Sequence, residues 1–329
     1  MTVRAGPASP RRALRSGVTL LEILVVIVIL SMILAMSLGI LRNANKDLGV
    51  MAAANTVASM LRAAGEHARA ESAPAWVVLD MNERTIGTLT RETIGMWHFE
   101  DTSGAFGKDI KVSGAVQDKG RVGLAYRFNG PQFIDCGEVQ VRQPDQGMAI
   151  EMWFYRFPGT GKHILASIGK DMELWADPVG RVNLRVGNIV ANSETHLVPR
   201  ESWIYVQAVY NGREIKILLN GAEVGSKPCR HKWTTAAPLI VGSRKDGIAG
   251  FIDEVRLSLV VPHDTYALPP EVEFDLPKGS KLQDNEFIIA FDSAGRLDAA
   301  RHPQELTLTI HSPVASRTIG VTRQGLVKR

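Results

Sequence analysis

The stretch Arg15-Ser16-Gly17-Val18-Thr19-Leu20-Leu21-Glu22-Ile23 opens an apolar segment that continues to Leu41. Within this segment, from Val18 onward, Glu22 is the single charged side chain and proline is absent. At about 1.5 Å per residue a helix of this length spans roughly 36 Å, which is enough to cross the hydrocarbon core of a membrane. A carboxylate inside such a helix costs free energy, so Glu22 is expected to have a partner or a function.

The order of glycine, apolar residue and carboxylate resembles the class III signal of type IV pilins and pseudopilins, with Val18 where phenylalanine is commonest. The resemblance implies that a prepilin peptidase cuts after Gly17 and methylates the new amino terminus at Val18. It also implies that Glu22 neutralises the terminal ammonium of a neighbouring pilin subunit during assembly. The alternative is an ordinary signal anchor. A cleaved secretory signal fits less well, because its apolar region is usually only about 7–15 residues long.

Charge places the body of the protein relative to the membrane. Residues 1–17 contain four arginines and no acidic residue, so this predicted leader accounts for the whole formal charge of +4. The basic balance therefore gives no evidence of nucleic-acid binding. Arginines before a membrane span hold the amino terminus in the cytoplasm. We expect a single-pass inner-membrane protein with a periplasmic body, able to enter a pilus or pseudopilus.

The helix is expected to continue through residues 42–73. Apolar side chains recur there at spacings of three and four, which predicts an amphipathic helix that ends before Pro74. The predicted buried stripe consists of Val50, Ala54, Val57, Leu61, Ala64 and Ala68.

Strand signals on both sides of a long insertion predict a small antiparallel sheet that covers this helix. The segments are 76–79, 85–90, 286–291, 306–310, 317–321 and 326–327. Their order resembles the GspH/FimT-type pseudopilin head, here made of residues 75–94 and 266–329. The expected fold class is therefore a pilin-like α+β fold, with a long N-terminal helix and a small antiparallel sheet, into which an all-β jelly-roll sandwich is nested.

The insertion, residues 95–262, has strand and turn signals at the spacing typical of a β-sandwich. Its landmarks include GMWHFED at 95–101, AIEMWFY at 149–155, ESWIYVQAVYNG at 201–212 and GFIDEVRL at 250–257. They resemble the laminin-G-like, concanavalin A-like jelly roll. This resemblance predicts the fold and leaves the ligand open.

The tryptophans of the insertion divide into two predicted groups. Trp97, Trp153 and Trp203 lie in alternating strands and are expected in the core. Trp233 lies in a polar stretch beside His231 and Lys232, where an exposed indole could stack on a sugar or a partner protein. These three residues and Trp175 are the candidate ligand-binding residues.

Catalysis is not expected. Concanavalin-like glucanases carry paired carboxylates on one strand face, because acid and nucleophile must both reach the cleft. Asp253 and Glu254 are adjacent, which in a regular strand points them to opposite faces, and Glu151 is followed two positions later by Trp153. We therefore predict that the protein is not an enzyme.

Calcium is the one cofactor to consider, because laminin-G-like domains often hold it with loop carboxylates. Asp101 and Asp253 are the candidate ligands, with Glu100 and Asp135 as further acidic neighbours. The competing interpretation is that Asp101 caps a turn and Asp253 accepts hydrogen bonds from buried backbone. Neither residue is assigned as a metal ligand.

Cys136 and Cys229 both lie in the insertion, and an oxidising periplasm favours a disulfide between two cysteines of one domain. Sequence does not place their Cα atoms within the roughly 7 Å that a bridge allows. The disulfide is therefore a candidate only.

Three functional classes follow. The first is a minor pseudopilin of a type II secretion-like or type IV pilus-like system that displays the laminin-G-like domain. The second is a membrane-anchored adhesin whose sandwich binds a polysaccharide or a secreted protein. The third is a FimT-like subunit for DNA uptake, although the basic residues from Arg296 onward lack interleaved aromatics and make nucleic acid an unfavoured partner. Prepilin peptidase, other pilins and the inner membrane are the expected partners of the anchor.

Overall fold

The computed structural model describes residues 20–104, 109–159, 161–234, 236–277, 280 and 282–328. Its single described helix, α1, is Leu20–Ala70. Leu20–Leu38, with a mean hydropathy of 2.8 and no buried residue, is long and apolar enough to cross a membrane. Glu22 lies in the first described turn of α1, whereas Gly17 and Val18 lie outside the described residues.

The second half of α1 buries the stripe that the sequence predicts. Val50, Val57 and Leu61 are fully buried, and the alanines of the stripe are at most 4% exposed. Alanine permits close approach between the helix and a sheet. The helix ends shortly before Pro74, as expected from the missing N–H of proline.

After α1, the described residues form twenty-one strands. The first eleven are β1 (Ala75–Asp80), β2 (Thr85–Trp97), β3 (Lys111–Ser113), β4 (Val116–Lys119), β5 (Leu124–Gly130), β6 (Phe133–Val139), β7 (Gly147–Arg156), β8 (His163–Ile168), β9 (Met172–Ala176), β10 (Arg181–Val186) and β11 (Ile189–Leu197). The others are β12 (Trp203–Tyr210), β13 (Glu214–Leu219), β14 (Ala222–Pro228), β15 (Ala237–Gly242), β16 (Ile248–Ala267), β17 (Glu273–Asp275), β18 (Glu286–Phe291), β19 (Leu306–Ser312), β20 (Ala315–Val321) and β21 (Val327–Lys328).

These strands form three antiparallel sheets. A ten-stranded sheet has the order β14-β13-β12-β7-β16-β2-β1-β18, with β5 paired to β16 and β4 paired to β5. A seven-stranded sheet has the order β11-β10-β9-β8-β15-β6-β3, and a four-stranded sheet has the order β17-β19-β20-β21. The tight turn between β13 and β14 uses Asn220 and Gly221, both at positive φ. Such a left-handed pair is what a two-residue hairpin of this kind requires.

The seven-stranded sheet packs on one face of the ten-stranded sheet to form the sandwich. Period-two alternation points Met152 and Phe154 of β7 into this core, together with Val206 of β12. Leu174 and Leu184 reach the same core from the seven-stranded sheet. We call this side of the ten-stranded sheet its inner face and the opposite side its outer face.

The amphipathic half of α1 lies between two sheets. Ala75, Val77 and Leu79 of β1 contact it from the end of the ten-stranded sheet, and Leu308 and Ile319 contact it from the four-stranded sheet. The small sheet of the predicted head is therefore only partly separate. Its first strands are an extension of the sandwich sheet, because β2 and β16 each run unbroken past residues 94–95 and 262–266.

One end of the ten-stranded sheet, formed by β1 and β18, folds over the outer face of the sandwich strands in the same sheet. Trp76 and Ile288, on the side of β1 and β18 away from α1, share a hydrophobic cluster with Ala149, Val209 and Val260 of the sandwich strands. Half of the outer face is thus covered by the strands and loops that follow the helix.

Candidate functional site

The other half of the outer face carries a row of aromatic side chains. In β7, Trp153 and Tyr155 point to the outer face and alternate with Met152 and Phe154, which point into the core. In β12, Trp203 and Tyr205 are directly opposite them, since Trp203 pairs with Tyr155 and Tyr205 with Trp153. All four outward rings are half-buried.

The rings are in mutual contact. Ring centroids lie 5.2 Å apart for Trp153 and Tyr205, and 5.5 Å apart for Tyr155 and Trp203. Phe251 of β16 lies 5.7 Å from Tyr155, and Phe157 lies 5.1 Å from Phe251. We call these six rings, Trp153, Tyr155, Phe157, Trp203, Tyr205 and Phe251, the aromatic ladder.

Two arginines lie over the ladder. The Arg121 guanidinium is 5.0 Å from the Trp153 ring centroid, and that of Arg127 is 5.5 Å from the Phe157 centroid. Both arginines are exposed. A guanidinium over an aromatic face gains cation–π attraction and keeps several N–H donors free for a ligand.

Asp253 holds the loop that carries Arg121. Its Oδ2 accepts hydrogen bonds from the backbone N–H groups of Arg121 (2.8 Å) and Val122 (3.0 Å), and its Oδ1 accepts one from Glu254 (2.8 Å). Burial raises the pKa of Asp253 to about 6, and the backbone donors partly oppose that rise. The carboxyl is fully buried beneath the loop, so it positions the loop rather than facing solvent.

Beside the ladder a groove of about 360 Å³ opens on the outer face. Trp153, Tyr205 and Arg256 contribute to it together with Val122, and a His98–Glu254 pair, with Nδ1 2.8 Å from Oε2, lines it as well. The remaining lining residue is Met96. The groove therefore combines apolar ring faces with a guanidinium, an imidazole and a carboxylate.

A buried ionic group supports this surface from the middle of the sheet. Glu151 is fully buried and pairs with Arg91, with Arg256 Nε at 2.5 Å and with Gln207 Nε2 at 2.5 Å. Burial acts to raise the pKa of Glu151, but the two guanidinium groups outweigh it and hold the pKa below its ordinary value. Burial and the Glu151 charge raise the pKa of Tyr205 to about 12, so its hydroxyl keeps its proton.

The structure corrects the expected positions of the tryptophans. Trp97 is in the core as predicted, but Trp153 and Trp203 are half-exposed on the outer face, because the alternation of their strands buries their neighbours instead. Trp233, expected to be exposed, is 8% exposed and its Nε1 donates to the Gln146 carbonyl at 2.6 Å. Trp175 is half-buried on the seven-stranded sheet, beneath the Lys162 ammonium at 4.4 Å.

The other two residues of the predicted loop site, His231 and Lys232, differ in their exposure. His231 Nε2 lies 3.0 Å from Asp171 Oδ1, whereas Lys232 is exposed. His231 also contacts the Trp233 ring, with centroids 5.5 Å apart. The stretch reads as polar in sequence, yet its indole fills the edge of the sandwich core.

Both candidate calcium ligands, Asp101 and Asp253, accept hydrogen bonds from protein groups. Asp101 Oδ1 accepts hydrogen bonds from the backbone N–H and the hydroxyl of Ser103, at 2.8 and 2.6 Å, which is the turn cap that the competing interpretation expects. Asp253 binds backbone N–H groups, as described. Among the described residues, no three His, Cys, Asp or Glu side chains are grouped as a metal site.

Asp253 and Glu254 do not point to opposite faces, contrary to the expectation for a regular strand. The register between β16 and β7 shifts between Asp253 and Arg256, and Glu254 adopts a positive φ. This bulge leaves Glu254 lining the outer groove while Asp253 lies on the same side beneath the loop.

The candidate disulfide is not formed. Cys136 and Cys229 are both buried cysteines that are not bridged to each other. The Cys229 thiol lies 3.8 Å from the Val186 carbonyl. Burial raises the pKa of this thiol to about 11, which makes it an inert core thiol.

Most of the ladder was missed by sequence reasoning. The available signal is the alternation itself: aromatics occupy positions 153, 155 and 157 and again 203 and 205, at every second residue of two strands. Such a pattern places all of these rings on one face. It does not say which face the second sheet covers.

Comparison with known proteins adds two matches. A family model described as the prokaryotic N-terminal methylation motif matches residues 12–38, and one described as the concanavalin A-like lectin/glucanases superfamily matches residues 130–261. The chain therefore combines a prepilin-type amino terminus with a concanavalin A-like domain, as the sequence predicts. No curated protein gives a significant match.

Solved structures with a similar arrangement are distant in sequence. Domain 4 of an extracellular arabinanase from Geobacillus stearothermophilus, in complex with arabinotriose, is 18% identical with a TM-score of 0.44, covering 52% of this chain and 95% of that one. The binding domain of Botulinum neurotoxin DC in complex with rat synaptotagmin II is 7% identical with a TM-score of 0.42, covering 69% and 73%. A mutant of Trypanosoma rangeli sialidase is 10% identical with a TM-score of 0.39, covering 50% and 30%.

Proposed function

We propose that this chain is a minor pseudopilin-like subunit, anchored in the inner membrane, whose sandwich binds polysaccharide in the periplasm or on a filament. The observation that carries the binding half of the proposal is the aromatic ladder beside the outer groove. The observation that carries the anchoring half is the prepilin-type motif followed by the exposed apolar helix Leu20–Leu38.

The ladder suits carbohydrate because sugar rings have apolar C–H faces that stack on aromatic rings. Its six rings extend across three neighbouring strands, which matches a linear chain of several sugar units better than a single small ligand. Arg121, His98, Glu254 and Arg256 supply donors and acceptors for hydroxyl groups. The groove has a volume of about 360 Å³, which lies in the range of ligand sites.

The proposed interaction is binding without hydrolysis. Glu254 is the single carboxylate among the described residues that line the groove, and it is paired with His98. Asp253 is adjacent but fully buried and occupied by three backbone N–H donors. Retaining and inverting glycosidases both need two carboxyl groups that reach the scissile bond. Release of sugar from any bound polysaccharide would contradict this part of the proposal.

A polysaccharide panel tests the site. The processed full-length protein, in detergent, is measured by affinity electrophoresis against neutral and acidic plant and bacterial polysaccharides. Trp153→Ala should weaken binding by roughly thirty-fold, the effect of about 2 kcal/mol expected of a central aromatic contact. Trp175→Ala is the matched control, because it removes a half-exposed indole from the other sheet. Equal losses in both variants, or no loss in Trp153→Ala, would contradict the site.

A second experiment tests the anchor. Gly17→Ala should leave the leader attached, and Glu22→Val should be processed but fail to enter filaments, because Glu22 is proposed to pair with the amino terminus of a neighbouring subunit. Gel mobility reports processing, and fractionation of sheared filaments reports assembly. Normal cleavage and normal assembly of both variants would contradict the pilin-like assignment while leaving the binding proposal intact.

A further inference from the structure

A buried lysine joins the sandwich to the carboxy-terminal part of the chain. Lys216 of β13 is 3% exposed on the covered half of the outer face. Its Nζ lies 2.6 Å from Asp298 Oδ2, 2.7 Å from Glu223 Oε2 and 3.8 Å from Glu214 Oε1. Asp298 lies in the segment after β18, and its contact with Lys216 joins residues that are 82 positions apart in the chain.

The charges in this cluster do not balance unless one carboxyl group is protonated. Three carboxylates face two cations, Lys216 and Arg301, the latter paired with Glu214. Burial raises the pKa of Glu223, with the Asp298 charge adding to the rise, despite the opposing effect of Lys216. Burial also acts to raise the pKa of Asp298, but Lys216 outweighs it and holds that pKa below its ordinary value. Of the two carboxyl groups, Glu223 therefore takes up a proton more readily, and Asp298 is the one that favours the charged form.

The cluster lies against a pocket of about 220 Å³. Lys216, Glu223 and Asp298 all line it, together with residues of the β13–β14 turn and of the segment after β18. A small molecule that leaves the cluster therefore has space beside the three side chains.

We propose that Lys216 and Asp298 become joined by an intramolecular amide bond, an isopeptide cross-link between the sandwich and the carboxy-terminal segment. The arrangement supplies each part that this reaction needs: an amine in hydrogen-bonding contact with a carboxyl group, a second carboxyl group that holds a proton, and a site from which solvent is largely excluded.

The reaction is a condensation with no change of oxidation state. A proton passes from the Lys216 ammonium to the Asp298 carboxylate, and burial favours this transfer because it removes two charges. The neutral Nζ attacks Asp298 Cγ while Glu223 donates its proton to one carboxyl oxygen. The amine proton then returns to Glu223, the Cγ–O bond breaks, and one water leaves. The product has a new Nζ–Cγ amide bond.

The first proton transfer is an unfavourable step that precedes the attack of the amine. Burial acts to lower the pKa of Lys216, but the surrounding carboxylates outweigh it and raise that pKa above its ordinary value. The neutral amine is therefore a minor species, and the bond is expected to form slowly. Each chain needs to form it only once after folding.

Asp298 is the assigned partner rather than Glu223. Glu223 lies only seven residues from Lys216 in the same hairpin, and as the protonated member of the pair it is suited to donate the proton. A bond to Asp298 closes a far longer loop and ties β13 to the segment that packs near α1. Such a tie would carry mechanical load between the helix and the binding surface.

A tryptic map of the denatured full-length protein tests the bond. The cross-link blocks cleavage after Lys216, so residues 214–230 should remain one peptide, attached to residues 297–301, with a mass lower by one water than the sum of the two. Fragmentation should locate the bond at Lys216 and Asp298. Complete cleavage after Lys216 with free release of residues 297–301, or a bond to Glu223, would overturn the proposal.

Two variants separate chemistry from packing. Lys216→Arg keeps the positive charge but cannot form the amide, so it gives the unlinked reference map. Glu223→Gln keeps the side-chain shape and removes the proton donor, and it should lose the cross-linked peptide while the circular dichroism spectrum stays native. Full cross-linking in Glu223→Gln would contradict the role given to Glu223.

Discussion

Strands β7 and β12 carry small side chains at one end of the outer face and large aromatic side chains at the other. At the first end, Ala149 and Val209 are buried beneath Trp76 and its neighbours. At the second end, further along the same strands, Trp153 and Tyr205 remain half-exposed. One face of one sheet thus serves as an internal interface and as an open surface.

Whether a side chain of the outer face is exposed therefore depends on whether β1 and β18 cover it, and not on residue type alone. The covered end has small residues where β1 and β18 approach. Its charged side chains form ion pairs, as Arg213 and Arg230 do with Glu286. At the open end the aromatic rings stay half-exposed, with the Arg121 and Arg127 guanidinium groups over two of them. A contiguous, partly exposed apolar surface of this kind is the basis of the proposed binding site.

The largest expected contrast is in stability. Trp76→Ala at the covered end should lower the free energy of unfolding by about 3–5 kcal/mol, because the indole is fully buried and its removal leaves a cavity. Trp203→Ala at the open end should cost less, about 1–2 kcal/mol, because this half-buried indole loses part of its burial energy and its contacts within the ladder. Chemical denaturation of both variants measures the difference. Equal costs would break the distinction between the two ends.

The two ends should also respond oppositely to pH. At the covered end, burial and the nearby Arg301 lower the pKa of His302 to about 4 from 6.5. Between these two pH values the folded state binds fewer protons than the unfolded state. The free energy of unfolding therefore decreases as pH falls through that interval, by up to about 3 kcal/mol. His302→Gln should make the unfolding free energy less dependent on pH in this window. An unchanged dependence would contradict the assignment.

Asp253 at the open end has the opposite sign. Its pKa is raised to about 6 from 3.8, so the folded state binds more protons than the unfolded state in that interval. Its contribution therefore falls as pH rises through the interval, by up to about 3 kcal/mol. The free energy of unfolding of Asp253→Asn minus that of the unmodified protein should increase as pH rises from 3.8 to about 6. A constant or decreasing difference would be inconsistent with a buried carboxyl group of raised pKa.

The helix and most strands could be predicted because they depend on local periodicity, and the jelly roll from the resemblance of the landmark motifs. The buried stripe from Val50 to Ala68 follows from the spacing of apolar residues alone. The site did not follow, because the exposure of Trp153 and the burial of Trp233 depend on which face the second sheet covers. The contact of Lys216 with Asp298 depends likewise on how the ten-stranded sheet packs on itself.

The smallest expected effect concerns Arg121. Its guanidinium lies exposed over Trp153, where one hydrogen bond donated to a sugar hydroxyl contributes about 0.5–1 kcal/mol to binding. Arg121→Ala should therefore weaken polysaccharide binding about two- to five-fold in affinity electrophoresis. Lys162→Ala, which removes the cation over Trp175, is the matched control and should leave binding unchanged. A loss of binding with Lys162→Ala would move the site to the other sheet.

The six tryptophans of the chain report directly on where ligand binds. Trp153 and Trp203 lie in the ladder, Trp175 lies on the other sheet, and Trp76, Trp97 and Trp233 are buried. Hydroxyl-radical footprinting of the full-length protein, with and without the polysaccharide that binds it best, measures the oxidation of each indole by mass spectrometry. Ligand should protect Trp153 and Trp203 and leave Trp175 as reactive as before. Protection of Trp175 with unchanged oxidation of Trp153 and Trp203 would contradict a binding site on the ladder.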